Sequence, residues 1–147
     1  MKLLLVTLTA VLSIFNTKAQ TSNDIKVSAV VLSSFNAAFK NASEVQWTDG
    51  DNFYKAEFTL NSQYVTAFYG VDGRLMAVTR NISSTQLPIT LQTNLKKSYD
   101  AYWISDLFEL SDENGTSYYV TVENGDNKVT LKSLGNEWSV FKKHHKS

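Results

Sequence analysis

Phe53-Tyr-Lys-Ala-Glu-Phe-Thr-Leu60, then Asn61-Ser62, then Gln63-Tyr-Val-Thr-Ala-Phe-Tyr69 form one continuous stretch whose side-chain character alternates residue by residue. Tyr54, Ala56, Phe58 and Leu60 take one set of alternate positions; Phe53, Lys55, Glu57 and Thr59 take the other. A period of two is the mark of a strand. Asn61-Ser62 suits a tight two-residue turn between two such strands. A hairpin closed there sets Leu60 opposite Gln63, Phe58 opposite Val65 and Tyr54 opposite Tyr69. Tyr54, Ala56, Phe58, Val65, Ala67 and Tyr69 then share one face. Phe53, Lys55, Glu57, Tyr64, Thr66 and Phe68 share the other. The assignment rests on register, because a slip of one residue exchanges the two faces.

Upstream, the period changes. Ser28 is a good N-cap, and Val31, Phe35, Ala38 and Phe39 recur at helical spacing until Lys40-Asn41. Val45 and Trp47 then alternate with polar neighbours before the turn Asp49-Gly-Asp-Asn52. Downstream of the hairpin, Asp72-Gly73 turns the chain into a further strand over Arg74–Ile82. The first half therefore reads as one helix followed by four antiparallel strands.

The same order then returns. Pro88 suits a first helical turn, and Leu91, Leu95 and Tyr99 make a second helical stripe. Strands are expected over Tyr102–Leu110, Thr116–Glu123, Asp126–Ser133 and Glu137–Lys142. Their turns fall at Asp112-Glu-Asn-Gly115, Asn124-Gly125 and Gly135-Asn136. Lys128-Val-Thr130 sits in the second half where Tyr64-Val-Thr66 sits in the first. We read an internal duplication with repeats at about 27–83 and 84–142. The expected fold is α+β: two tandem helix-plus-four-strand repeats forming one antiparallel sheet, with both helices on one face. Pairing around Asn124-Gly125 puts Tyr118, Val120, Val122, Val129 and Leu131 inside. Tyr119, Thr121, Lys128, Thr130, Lys132 and Phe141 fall outside. Strand parity over residues 102–110 stays open, because Ile104/Asp106/Phe108 and Trp103/Ser105/Leu107 are both mixed sets.

The first twenty residues are of a different kind. Met1-Lys2 is a short positive start, Leu3–Phe15 is largely apolar, and Asn16-Thr-Lys-Ala19 turns polar and ends small. This is the layout of a secretory signal peptide over residues 1–19, with cleavage between Ala19 and Gln20. The apolar run is shorter than the about 20 residues that span a bilayer. The expected mature chain is one domain, residues 20–147, in the periplasm or secreted, with no membrane insertion after cleavage.

Composition narrows the function classes. The 147-residue chain has no cysteine, which excludes a disulfide scaffold, a thiol nucleophile and a zinc-thiolate site. Lys+Arg 14 balance Asp+Glu 14, so the clustered positive charge of a nucleic-acid binder is missing. Both histidines, His144-His145, lie in a Lys-rich end read as a frayed, solvated tail, and no hydrolytic triad can be assembled. Glu57 and Glu109 are the two mid-strand carboxylates that a glycosidase-type mechanism would need, with nothing in the spacing to bring them together. The Asp/Asn/Gly clusters at 49–52 and 112–115 lack the twelve-residue calcium-loop pattern and read as hairpin turns. No cofactor or metal is expected.

Several segments together resemble a known family. They are Val31–Phe39, Glu44-Val-Gln-Trp47, Asn52-Phe-Tyr-Lys-Ala-Glu-Phe58, Ala67-Phe-Tyr-Gly-Val-Asp-Gly73-Arg-Leu75 and Leu87-Pro88. The chain resembles the PepSY-like, beta-lactamase-inhibitor-like family of small periplasmic bacterial proteins over most of Val27 to Phe141. That resemblance implies tandem helix-plus-four-strand repeats, a beta-lactamase-inhibitor-protein-like fold, secretion and no established catalytic activity. It also implies that the sheet face away from the helices is the surface that engages a partner.

On that face the alternation places Phe53, Lys55, Tyr64, Thr66, Phe68, Tyr119, Lys128 and Lys132, aromatic anchors in a polar surround. The same residues are open to a plainer reading, in which aromatics merely suit strands or are covered by a terminal segment or a second subunit. The leading expectation is a non-catalytic binding module for another periplasmic protein, with restraint of a hydrolase as one form of it. The alternative is a sensor of a small molecule or peptide, and the remote one is a carboxylate hydrolase.

Overall fold

Phe35 shows why the first helix sits where it does. Its ring lies 5.1 Å from those of both Trp47 and Phe58, edge-on to each, and 6.4 Å from Tyr69. Val31, one turn earlier, is fully buried beside it. The amphipathic stripe of this helix thus closes over alternate residues of three strands, Ala56, Phe58, Val65, Ala67 and Tyr69 among them.

The computed structural model describes residues 25–147; the signal-peptide reading of residues 1–19 lies outside them. The elements in chain order are α1 (Ala29–Ala38), β1 (Ser43–Asp49), β2 (Phe53–Leu60), β3 (Gln63–Gly70), β4 (Leu75–Asn81), α2 (Ile89–Tyr99), β5 (Trp103–Asp112), β6 (Gly115–Glu123), β7 (Asn127–Leu134) and β8 (Glu137–His145). The strands form one eight-stranded sheet in the order β1 to β8, every neighbouring pair antiparallel. Between β4 and α2, a single 3₁₀ turn over Ser84–Gln86 is held by a capping box, with the Ser83 amide donating to Gln86 Oε1 at 2.8 Å.

The decisive hairpin has the register expected of it: Leu60 faces Gln63, Phe58 faces Val65 and Tyr54 faces Tyr69. Asn61 and Ser62 both have positive φ, 50° and 64°, as a two-residue turn matching the strand twist requires. The ladder then carries face identity across the sheet. Ala67 pairs with Val78, Val78 with Ser111 and Arg80 with Glu109, so Leu107 lies on the same side as Phe58. Leu107, Val120, Val122, Val129 and Leu131 pack with Leu87 and Leu95 at α2, as Phe58 and its neighbours pack with α1. Both helices therefore cover one face. Trp138 pins α2 by donating Nε1–H to the Leu91 carbonyl at 2.9 Å.

Two local expectations need correction, and one open point is settled. The β6–β7 turn is centred on Gly125-Asp126 rather than Asn124-Gly125, because the Asn124 carboxamide accepts from the amides of Asp126 and Asn127 at 3.0 and 2.8 Å. That moves the register by two residues, Glu123 facing Lys128, and leaves the faces unchanged. The C-terminal residues are not a frayed tail. β8 runs through His145, pairing His144 with Lys128 and His145 with Asn127, and the Lys146 amide donates to the Asp126 carbonyl at 2.8 Å. The open parity of residues 102–110 has a physical cause, a bulge at Ser105 that switches phase. Trp103 shares a face with Asp106 and Phe108, while Ile104 shares the other with Leu107.

Candidate functional site

The face without helices carries all eight residues singled out in the sequence. Phe53 faces Gly70, Lys55 faces Phe68 and Thr66 lies between Glu57 and Thr79. Tyr64 faces Thr59. In the second half Tyr119 sits between Phe108 and Lys132, and Lys128 opposes Glu123.

Burial divides these eight into two kinds. Tyr64 is 50% exposed, the most open aromatic of the set, and Lys128 is also exposed. Phe53, Lys55 and Lys132 are half-buried. Phe68 and Tyr119, by contrast, are each 1% exposed, and Thr66 is buried too. The expectation of a row of exposed aromatics is corrected accordingly. Phe68 packs with Ala77, Phe53 and Met76. Tyr119 stacks on Phe108 with ring centroids 5.1 Å apart and planes 9° from parallel, and Phe141 meets its ring edge-on at 5.5 Å. The face thus has two small apolar clusters of its own, one in each half, with a row of threonines between and beside them.

Polar groups border these clusters. Lys55 pairs with Glu57 at 3.1 Å, and the Tyr64 hydroxyl donates to Glu57 at 3.0 Å. Burial first, then the hydrogen bond and charge of Glu57, push the Tyr64 phenol up to about 12. The Thr121 and Thr130 hydroxyls lie 3.0 Å apart. Lys132 Nζ sits 5.5 Å over the Tyr119 ring, a cation–π distance. At the far margin Glu123 receives Lys146 at 2.8 Å and Lys128 at 3.3 Å. Hydrogen bonds from Lys146 and Ser105, then Lys128, hold its carboxyl down at about 2. Lys146 also lies 4.7 Å over the exposed ring of Trp103.

Solved structures share this architecture. A BLIP-like protein from Bacteroides fragilis NCTC 9343 superposes with a TM-score of 0.70 at 19% identity, over 84% of this chain and 89% of that one. The fold is BLIP-like. A DUF2874 family protein from Bacteroides ovatus ATCC 8483 matches this chain with a TM-score of 0.72 at 18% identity, covering 83% of this chain and 89% of that one. A candidate periplasmic protein from Bacteroides eggerthii DSM 20697 matches with 0.73 at 10% identity, covering 82% and 90%. These TM-scores establish a common fold. No protein-family model matches the chain, and no curated protein does.

Within this BLIP-like fold the catalytic alternatives come apart. Glu57 lies on the helix-free face and Glu109 on the helix-covered one, so no single bond can be flanked by both. Glu109 is instead gripped by Arg80 and sits beside Tyr118, whose phenol is raised by burial and then by Glu109. His144 and His145 occupy adjacent strand positions, which point to opposite sides of a sheet. No cluster of three His, Asp or Glu residues fit to hold a metal occurs among the described residues. No helix among them is long and apolar enough to cross a membrane.

Sequence reasoning missed several residues of the face: Met76, Ala77, Thr79, Phe108, Leu110 and Trp103. Of the β4 members, Ala77 and Thr79 were readable from alternation, whereas Met76 joins the cluster at a bulge that alternation does not show. Phe108, Leu110 and Trp103 were hidden by the Ser105 bulge, since no single parity describes β5.

Proposed function

We propose that this chain is a non-catalytic binding module of the periplasm or secreted space, and that the helix-free face of its sheet engages another protein. One observation carries the reading. A face free of helices presents the exposed rings of Tyr64, Trp103 and Phe141 among Lys55, Lys128 and Lys132, apolar groups in a polar surround as in protein interfaces, over two buried apolar clusters. Support comes also from the BLIP-like neighbours and from a sequence start of secretory layout. We further read the two halves as tandem copies of one unit, each a helix followed by four strands. Restraint of a hydrolase is the form of partner binding that the family resemblance favours.

The test places a photo-crosslinking side chain at Tyr64 or at Lys128 in the secreted protein, with exposed Lys96 of α2 as the control position. Adducts of one discrete partner at the two face positions and none at Lys96 are expected. Equal crosslinking at all three, or adducts at Lys96 alone, would overturn the assignment of the face.

A further inference from the structure

Asn114-Gly115 and Asn124-Gly125 are the Asn-Gly pairs of the chain, and each lies at a turn of its second half. The pair has a chemistry of its own. Glycine has no side chain to shield its amide nitrogen, so that nitrogen can reach the carboxamide carbon of the preceding asparagine and close a ring. A folded chain permits the step only where the carboxamide and the turn are loosely held.

The two turns differ in that respect. Asn124 is half-buried, and its Oδ1 accepts from the amides of Asp126 and Asn127 at 3.0 and 2.8 Å. Its own amide donates to the Asn127 carbonyl at 3.0 Å, and its carbonyl accepts from Lys146 Nζ at 2.9 Å. Side chain and backbone are both fixed. Asn114 is exposed, and no residue among those described bonds its carboxamide. Its backbone amide donates to Asp112 Oδ1 at 2.7 Å, which leaves the side chain free to turn. Gly115 is exposed as well, and a Cβ on it would meet nothing within 4 Å. It faces Asp112 as the last pair of the β5–β6 ladder, an end that opens without disturbing the pairs beneath it.

We propose that Asn114 is a site of spontaneous deamidation in the folded protein and that Asn124 is protected from it. The Gly115 nitrogen gives its proton to solvent base and attacks Asn114 Cγ. An N–Cγ bond forms, the Cγ–Nδ2 bond breaks, and ammonia leaves after taking a proton from water. Water then opens the resulting succinimide at one of its two carbonyl carbons. Opening at Cγ gives aspartate; opening at the backbone carbonyl gives isoaspartate, which lengthens the main chain by a methylene. Either product adds a carboxylate to a hairpin tip that already carries Asp112 and Glu113, and where Arg74 pairs with Glu113 at 3.8 Å.

To test it, the secreted protein is aged at mildly alkaline pH, folded or held unfolded in guanidinium. Cleavage at Glu113 and Glu123 then puts the two sites on separate peptides for mass spectrometry. In the unfolded chain both sites should convert at similar rates, since each asparagine precedes a glycine. On folding, Asn114 should keep most of its unfolded rate. Asn124 should slow by about tenfold or more, because two hydrogen bonds must break before it reacts. The Asn114 rate should climb with pH, and aspartate and isoaspartate peptides should both appear. An Asn114→Gln protein, whose side chain closes a less favourable ring, should form little of the acidic species that ion exchange resolves from aged wild type. Equal rates at the two sites of the folded protein, or Asn124 ahead of Asn114, would overturn the proposal. So would an Asn114 slowed by folding as strongly as Asn124.

Discussion

Arg80 holds Glu109 through two hydrogen bonds, Nε to Oε1 at 2.9 Å and Nη2 to Oε2 at 3.2 Å, across the ladder where β4 meets β5 and the two halves of the sheet join. The fork geometry of a guanidinium suits a carboxylate in this way and a lysine would not reproduce it. Arg80 also reaches Gln63 at 3.5 Å. Glu109 is the more enclosed partner, with 17% of its side chain exposed against 42% for Arg80. Removing either partner should therefore have unequal effects. Arg80→Met, which strands the more enclosed carboxylate, should destabilise by about 2 kcal/mol, and Glu109→Gln by about 1 kcal/mol. Urea unfolding of both single variants and the double variant measures the coupling; equal losses in the two singles would contradict the burial argument.

Two turns carry the backbone strain that the sequence implies. Ser62 holds φ of 64°, where a side chain is disfavoured, so Ser62→Gly should stabilise by about 0.5 kcal/mol even after the added freedom of the unfolded chain. Gly73 is the opposite case. Its φ is 84°, and a methyl there would meet Val30 Cγ2 at 2.9 Å and Ser34 Oγ at 3.1 Å, both on α1. Gly73→Ala should destabilise by about 2 kcal/mol by lifting the helix off the β3–β4 turn. Thermal melts of the pair should move in opposite directions.

The helices, the strands and the sidedness of the two central hairpins were legible because period and turn chemistry agree in them. Asn61-Ser62 fixes one register, and the alternation on either side of it leaves a single apolar face to bury. Where a strand carries an extra residue the signal fails. Ser105 shifts the phase of β5. The bulge in the middle of β8 leaves Phe141 against Tyr119, on the face where alternation placed it. Burial on the helix-free face was equally hidden. Alternation says which way Phe68 and Tyr119 face, but their covering comes from residues on neighbouring strands, Met76, Ala77 and Phe108, whose placement needs the ladder. The strand through His145 was missed because Lys142-Lys-His-His-Lys146 is polar throughout and shows no alternation.

Glu123 gives the fold an acid-sensitive corner. Its carboxyl is held at about 2, below an ordinary value of 4.5, by hydrogen bonds from Lys146 and Ser105 and then Lys128. A carboxyl group depressed on folding contributes stability that is full above its unfolded value and is lost as pH falls through the folded one. Wild type should therefore exceed Glu123→Gln in stability at neutral pH. The difference should shrink as pH is lowered from about 4.5 toward about 2. Chemical unfolding of both proteins across that range checks it, and a difference that stays constant with pH would remove Glu123 as the source. Neutralising Glu123 also frees Lys146 from one of its partners, so Trp103 fluorescence should change over the same interval.

Testing the face by alanine substitution requires separating residues that contact a partner from those that hold the sheet together. Phe68 is 1% exposed and packs with Ala77, Phe53 and Met76, so Phe68→Ala opens a cavity and should destabilise by about 3 kcal/mol. Loss of binding in that variant would reflect loss of structure. Tyr64 is the informative position. Half of it is open to solvent, and what it gives the fold is one hydrogen bond to Glu57, itself already paired with Lys55. Tyr64→Ala should change stability by about 1 kcal/mol or less. Tyr64→Phe should change it less still and retain the apolar contact area. If the face binds a protein as proposed, Tyr64→Ala should weaken that complex while the melting temperature stays near wild type, with Tyr64→Phe intermediate. Parallel measurement of melting and of partner affinity on the three variants decides it; affinity losses that merely track stability losses would mean that Tyr64 supports the sheet and touches no partner.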